Sequence, residues 1–359
     1  MIYWKKILLK MKKINVVIVG TGFGALTHLP AYLNSKYSNV LGIYGRNKNT
    51  LKSISKKYRN IKIYNSIDKI LEDKNIDLVS LAIPPFLNFE IIKKLIKNNK
   101  NILCEKPFTL NFSQSDNLQK KLKQKNLVGT VGYQMRFDPL RKTVKNFIVN
   151  EELGEIYHVN LSYDFSSFFS MQSNNSWINK VSLGGGVLNS MGSHQLDLLV
   201  WWLGKINSIS FAQKFITSKS SKKIISNSSD NITKGLINFQ NGSIANFSVS
   251  NSSIGWRNSK IEIYGSKAAL FINGEKEMTL QRNTTAYHNY RFDNELLSEG
   301  WVGGSIWRAA FFRQIEALSL KIIDRKNNFH GSTFEEASYI RKIMDVIQNQ
   351  KNKKNFQSI

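Results

Sequence analysis

The segment Ile14-Asn15-Val16-Val17-Ile18-Val19-Gly20-Thr21-Gly22-Phe23-Gly24-Ala25 restricts the possible folds more than any other stretch of the chain. An apolar, β-branched run reads as a buried strand. It enters a glycine-rich turn without a spacer, and the turn opens a helical pattern over Ala25–Asn34. The spacing G-x-G-x-x-A gives each small residue a task. Gly20 permits the tight turn, Gly22 lets backbone approach a pyrophosphate, and Ala25 lets helix and strand pack closely, with Phe23 and Gly24 completing the turn. In this strand-turn-helix context the motif points to a bound dinucleotide.

The alternation continues. Strand patterns at Val40–Tyr44, Ile61–Tyr64, Leu78–Ala82, Ile102–Cys104 and Leu127–Gly132 are separated by helical patterns at Thr50–Lys57, Ile67–Leu71, Phe89–Lys97 and Ser113–Lys125, the arrangement of βαβ units in a doubly wound parallel sheet. After about Tyr133 the texture changes. A helix at Pro139–Val149 is followed by strands at Ile156–Asp164, Ile206–Ile216, Lys234–Asn238, Ser243–Val249, Lys260–Tyr264 and Ala268–Ile272. An apolar helix, Val187–Leu203, is inserted among them, and helices at Trp307–Ile323 and Phe334–Gln348 close the chain. This predicts an α+β domain with a mostly antiparallel sheet. The expected division is an extension over 1–10, a dinucleotide-binding domain over 11–133 and a substrate-binding and oligomerisation domain over 134–359. The Ser/Asn/Lys-rich stretch Ser218–Asn231 reads as a loop or hairpin tip.

Composition narrows the class. A chain of 359 residues can bury two cores. One cysteine excludes a disulfide scaffold and fits a reducing, cytoplasmic setting. No stretch approaches the roughly 18 apolar residues of a membrane span, so no membrane partner is expected. The net charge of +26, from 51 Lys plus Arg against 25 Asp plus Glu, invites a nucleic-acid reading. The lysines, however, fall singly or in short runs along the whole chain, without an arginine stripe or zinc-finger spacing. They read as solvated surface, with no nucleic-acid partner.

The second strand ends Ile43-Tyr44-Gly45-Arg46-Asn47. An NAD site usually has a carboxylate there for the ribose 2′-hydroxyl; Arg46 instead suits a 2′-phosphate, which favours NADP over NAD. Two further segments carry chemistry. Leu103-Cys104-Glu105-Lys106-Pro107 closes a strand, so Lys106 stands at the carboxyl edge of the sheet, where it can hold a substrate hydroxyl and stabilise a developing alkoxide. In Gly184-Gly185-Gly186-Val187-Leu188-Asn189-Ser190-Met191-Gly192-Ser193-His194-Gln195-Leu196-Asp197, helical spacing puts Ser190, His194 and Asp197 on one face. A histidine beside a carboxylate is a candidate proton acceptor. The remaining histidines, His28, His158, His288 and His330, lack a motif context and read as surface or satisfied core groups. No metal-ligand spacing occurs, so no metal is expected. Cys104 reads as a small buried hydrophobe. Trp201, Trp202, Phe165, Phe168 and Phe169 could stack on a sugar, with core packing the blander role.

Together these segments resemble the Gfo/Idh/MocA oxidoreductase family. The resemblance also takes in Ala82-Ile83-Pro84-Pro85, Gly132-Tyr133-Gln134-Met135-Arg136-Phe137-Asp138-Pro139 and Leu153-Gly154-Glu155-Ile156. It implies a Rossmann domain, then an α+β domain with a large open sheet often used for homodimers or homotetramers. It also implies NAD(P)-dependent oxidation or reduction of a sugar, polyol or related carbonyl compound. Under it Lys106 orients the substrate hydroxyl, His194 exchanges its proton and Asp197 orients His194 or the substrate. Pro84, Asn88, Glu105 and Lys106 join the cofactor side, and Tyr133, Arg136, Tyr163, Trp177 and Ser190 the substrate side. Two positions depart from the family pattern: Ser190 stands where many members have aspartate, and Asn88 where a histidine is usual. A non-catalytic dinucleotide-binding sensor of the same fold is the rival expectation.

Overall fold

Six apolar strands, β1 (Ile14–Val19), β2 (Ser38–Tyr44), β3 (Lys62–Ile63), β4 (Leu78–Leu81), β5 (Asn101–Cys104) and β6 (Gly129–Val131), pair in parallel in the order β3-β2-β1-β4-β5-β6. The computed structural model describes residues 12–166, 177–216, 229–253, 258–282, 285–293, 295–298 and 300–350. The expected extension over 1–10 lies outside them, as do Phe168, Phe169 and most of the 218–231 stretch. Helices are α1 (Leu29–Asn34), α2 (Lys48–Lys57), α3 (Ile67–Glu72), α4 (Asn88–Lys97), α5 (Phe112–Gln124), α6 (Pro139–Val149), α7 (Ser193–Leu203), α8 (Ile306–Ile323) and α9 (Phe334–Gln350). Caps set several starts: Asn47 accepts from Thr50 N–H before α2, Ser66 from Lys69 N–H before α3, and Asn111 from Gln114 N–H before α5.

The strand order reverses between β1 and β4, the switch point where doubly wound sheets bind ligands. Beyond the strands the ladder continues for one more bond at each carboxyl end. Gly20 N–H donates to Tyr44 C=O, Ala82 N–H to Val19 C=O, Glu105 N–H to Leu81 C=O and Gly132 N–H to Cys104 C=O, each at 2.8 Å. The glycine turn, the Pro84-Pro85 loop and the Glu105-Lys106-Pro107 segment are thereby held along one sheet edge.

The residues divide into two compact units, one reaching to Asp138 and resuming over Glu295–Tyr339, the other comprising Pro139–Asn294 and the residues from Ile340 onward. Helix α8 thus lies in the first unit, although sequence grouped 134–359 together. The reason is burial: Phe311, Ile315 and Leu318 share a core with Val16, Ile18, Leu29, Ile43, Leu78 and Leu103. Fully burying one such side chain contributes about 1.5–3 kcal/mol.

The second unit is built on eight strands, β7 (Ile156–Asp164), β8 (Ile206–Lys214), β9 (Ile232–Phe239), β10 (Ile244–Ser250), β11 (Asn258–Gly265), β12 (Ala269–Asn273), β13 (Glu277–Gln281) and β14 (Tyr287–Arg291). Their order is β14-β13-β12-β11-β7-β10-β9-β8, with β7 and β10 parallel and the other pairs antiparallel. Alternation puts Val159, Leu161, Tyr163, Ala245, Phe247, Val249, Ile261 and Ile263 on the buried face. The other face carries a polar ladder in which Asn246 Nδ2 donates to Asn160 Oδ1 (2.7 Å) and Asn160 Nδ2 to Glu262 Oε2 (2.9 Å). Strands β13 and β14 carry no clear sequence signal, because Glu277–Gln281 and Tyr287–Arg291 are short and largely polar, and only Met278 and Leu280 are buried.

Candidate functional site

In the first unit the glycine turn is stereochemically fixed. Gly20 has φ +127°, and a Cβ there would overlap the Ala82 carbonyl. Gly22 has nothing within 4 Å of a Cβ position, which leaves open the space that a pyrophosphate needs against the backbone. The close helix-strand contact belongs to Gly24, whose Cβ would stand 3.1 Å from Ile18 and 3.3 Å from Ala82. Sequence gave that task to Ala25, which instead packs part-buried against the core. The first turn, Gly24–His28, is wound as a π-helix before α1. Ala25 and Leu26 N–H already donate to Gly22 C=O, both at 3.1 Å, so an anion would meet the N–H groups of the glycine turn ahead of them. These residues fit a dinucleotide.

Gly45 lets the end of β2 pass beside the turn, for its Cβ would meet Thr21 Oγ1 at 2.9 Å. The next residue, Arg46, is exposed. Pro84 is half-buried and starts a short turn that leads into α4. Asn88 is buried, and its Nδ2 donates to Pro107 C=O (3.2 Å) and Phe108 C=O (3.0 Å), fastening the segment after Lys106. Its Nδ2 is thus engaged by protein, while its buried Oδ1 has no hydrogen-bond partner among the described residues. Lys106, half-buried, precedes a cis peptide to Pro107. Burial pushes its ammonium below the ordinary lysine range, and the neighbouring Glu105 carboxylate opposes that shift.

Glu105 is buried, and its Oε1 lies 3.3 Å from His28 Nε2, while His28 Nδ1 lies 2.8 Å from Ser80 Oγ. His28 is fully buried, stacked on Phe311 with ring centroids 4.5 Å apart; Phe23, itself exposed, covers it edge-on at 5.6 Å. One sequence signal pointed here: His28 lies four residues after Gly24, and so faces the sheet as Gly24 does. Tyr133 and Arg136 are both buried, and Arg136 Nη1 donates to Glu336 Oε1 at 2.7 Å. The Arg136 charge, which sequence assigned to substrate, is balanced inside the first unit. Cys104 is buried and its thiol is pushed well up by burial and by Glu105, so it is no nucleophile.

In the second unit, Gly184-Gly185-Gly186 threads between two walls. Gly184 and Gly186 have φ +85° and +112°. A Cβ on Gly185 would stand 2.7 Å from Trp177 C=O, and one on Gly186 would overlap the Asp230 carboxylate. Asp230 organises the next turn: its C=O accepts from Val187 N–H and its Oδ2 from Leu188 N–H, both at 2.9 Å, and Oδ2 also accepts from Thr233 Oγ1 at 2.7 Å. Burial nonetheless raises the Asp230 pKa against those bonds. Asp230 lies in the stretch that sequence reads as a hairpin tip, where nothing in the residue pattern marks a buried carboxylate.

Leu188–Gly192 is again a π-turn, and regular helix α7 begins only at Ser193. His194 and Asp197, both buried, lie on α7, while Ser190 sits half-buried in the π-turn before it, its Oγ donating to Val187 C=O at 3.4 Å. Tyr163 is buried on β7 and meets Phe165 edge-on at 5.7 Å. Trp177 is half-buried beside the glycine loop. Trp202 is core, its Nε1 donating to Arg141 C=O at 3.2 Å. Among the described residues no group of His, Cys, Asp and Glu could hold a metal, and no helix is long and apolar enough to cross a membrane.

Comparison with known proteins accords with this architecture. Residues 14–133 match the model of the oxidoreductase family with an NAD-binding Rossmann fold, and residues 142–271 match the GFO/IDH/MocA C-terminal domain. An uncharacterized oxidoreductase of Synechocystis sp. is 24% identical over 74% of this chain and 73% of its own length. The glucose-6-phosphate 3-dehydrogenase of Bacillus subtilis is 25% identical over 60% of this chain and 59% of its own. An uncharacterized oxidoreductase of Schizosaccharomyces pombe is 30% identical, but the match spans only 54% of its length. Among solved structures, levoglucosan dehydrogenase in complex with NADH and L-sorbose shares the fold, with a TM-score of 0.84 at 18% identity over 96% of this chain and 98% of that one. With both halves of the architecture matched, the chain belongs to the GFO/IDH/MocA family of oxidoreductases with an NAD-binding Rossmann fold.

Proposed function

We propose that the protein oxidises a CH–OH group, or reduces the corresponding carbonyl, of a sugar, polyol or sugar derivative, using NAD or NADP. The observation that carries the reading is Lys106: a lysine with a depressed pKa, beside a buried Glu105, on the same sheet edge as a glycine turn with room for a pyrophosphate. Bound at that turn, the nicotinamide cofactor supplies or accepts the hydride. Lys106 donates to the substrate oxygen and stabilises negative charge developing on it. His194 takes the hydroxyl proton in oxidation and returns it in reduction. Asp197, one turn along the same face of α7, orients His194 or the substrate. Ser190 carries no charge at neutral pH, so of these two positions only Asp197 supplies a carboxylate. Arg46 supports use of NADP. The names of relatives set the first compounds to try: levoglucosan, glucose 6-phosphate and myo-inositol.

The test is reduction of NAD and NADP in the presence of that panel, and oxidation of the reduced cofactors with keto-sugars. Turnover lost in Lys106→Ala and in His194→Ala is the expected result. Tight NADH binding without turnover of any compound would instead favour a sensor of the same fold. A homo-oligomer through the open face of the second unit's sheet completes the reading. Leu236, Ile244 and Tyr287 are exposed there, and sedimentation of the full chain as a monomer would rule it out.

A further inference from the structure

We propose that His28 is a positioning residue: its Nε2–H holds the Glu105 carboxylate beside Lys106 and so ties the glycine-turn helix to the Glu105-Lys106-Pro107 segment. This rests on the reading of Lys106 as the group that meets substrate. The hydrogen-bond chemistry is directional. A carboxylate only accepts, so His28 Nε2 donates to Glu105 Oε1 (3.3 Å), and Nδ1 is left to accept from Ser80 Oγ–H (2.8 Å). The ring is fixed on its faces as well, by Phe311 and Phe23. The carboxylate is confined from the other side, since a Cβ on Gly132 would meet Glu105 Oε1 at 2.8 Å. Among the described residues, the titratable groups that act on Glu105 include His28 from the glycine-turn helix and Cys104 and Lys106 from its own segment; the thiol stays protonated.

A proton wire does not suit the geometry. The chain Glu105, His28, Ser80 runs inward to a fully buried serine of β4 and on toward Tyr32, itself fully buried. A brace suits it. Glu105 supports the ammonium of Lys106 by its charge, and a carboxylate released from His28 is no longer held beside that ammonium, which weakens the support with distance.

The experiment tracks the pH dependence of Lys106 acylation by acetic anhydride, read by peptide mass spectrometry on the full chain. It needs neither cofactor nor substrate, so absence of hydride transfer would sink the catalytic reading without touching this result. His28→Phe keeps a ring against Phe311 but removes both bonds, and it should lower the Lys106 midpoint by roughly one pH unit, the size of an adjacent-charge effect. His28→Gln, which keeps a donor, should bring the midpoint back toward that of the wild type and serves if the phenylalanine variant does not fold. Glu105→Gln should lower it similarly, and adding His28→Phe to Glu105→Gln should change nothing further. A His28→Phe profile coincident with wild type, or shifts that sum in the double variant, would overturn the proposal.

Discussion

Arg341 Nη1 donates to Asn189 Oδ1 at 2.8 Å across 152 residues of sequence. The guanidinium is buried and also donates from Nε to Asp345 Oδ1 (2.8 Å) and from Nη2 to Gln348 Oε1 (2.9 Å), while Asn189 Nδ2 donates to Gly185 C=O (2.9 Å). Helix α9 therefore fastens both the triple-glycine loop and the π-turn that delivers His194. Asn189→Ala removes an acceptor from a buried cation and a donor from a buried carbonyl. It should cost about 1–3 kcal/mol in urea unfolding and lower kcat. Asn189→Asp keeps the acceptor for Arg341 and should recover most of the stability.

Gly20 and Gly22 separate folding from cofactor binding. Any side chain at Gly20 meets the Ala82 carbonyl and must adopt a positive φ, so Gly20→Ala should give little folded protein. A Cβ at Gly22 touches nothing in the protein. Gly22→Ala should melt with the wild type yet bind NADH at least about tenfold more weakly, a loss of roughly 1.4 kcal/mol. Calorimetric titration with NADH checks this, and unchanged affinity would remove the turn from the cofactor site.

Arg46 offers a test of cofactor choice. Arg46 is exposed just after Gly45, which passes beside Thr21 of the turn; under the proposed use of NADP it would meet the 2′-phosphate with a charge-assisted bidentate contact. Arg46→Ala should lower kcat/KM with NADP about tenfold or more, the effect of losing roughly 1.5–3 kcal/mol, and leave NAD nearly unchanged. Arg46→Asp should shift preference further toward NAD by restoring a 2′-hydroxyl acceptor. Equal effects on both cofactors would show that Arg46 does not read that position.

Legibility in the sequence tracks local signals. The β1-turn-helix segment is readable because a buried strand, small residues and a helix start occur at fixed spacing, and Lys106 because it closes a strand. Gly24 escapes because a motif fixes spacing but not the winding of the helix after it: a π-turn moves the close contact one position before Ala25. Asp230 and Arg341 depend on partners 42 and 152 residues away, and such pairings leave no periodic trace. Residue identity alone does not show that Arg136 faces Glu336 instead of solvent or substrate.

That last pair makes acid stability a readout. Burial of Glu336 works against its ionisation, but Arg136 at 2.7 Å and the Thr333 N–H and hydroxyl, both at 2.9 Å, outweigh it and hold its pKa below the ordinary 4.5. A carboxyl whose pKa is lower in the folded state stabilises the fold fully above its unfolded pKa. That contribution disappears as pH falls through the folded value. Wild-type stability should therefore decline below about pH 4.5, and Glu336→Gln should start lower at neutral pH and decline less steeply over that window. Arg136→Ala leaves Glu336 free to rehydrate, since its side chain is 43% exposed. Its cost should thus sit at or below the low end of the roughly 3–5 kcal/mol for breaking a buried pair. Urea unfolding at several pH values separates these outcomes, and parallel curves for wild type and Glu336→Gln would show that the pair contributes nothing to acid sensitivity.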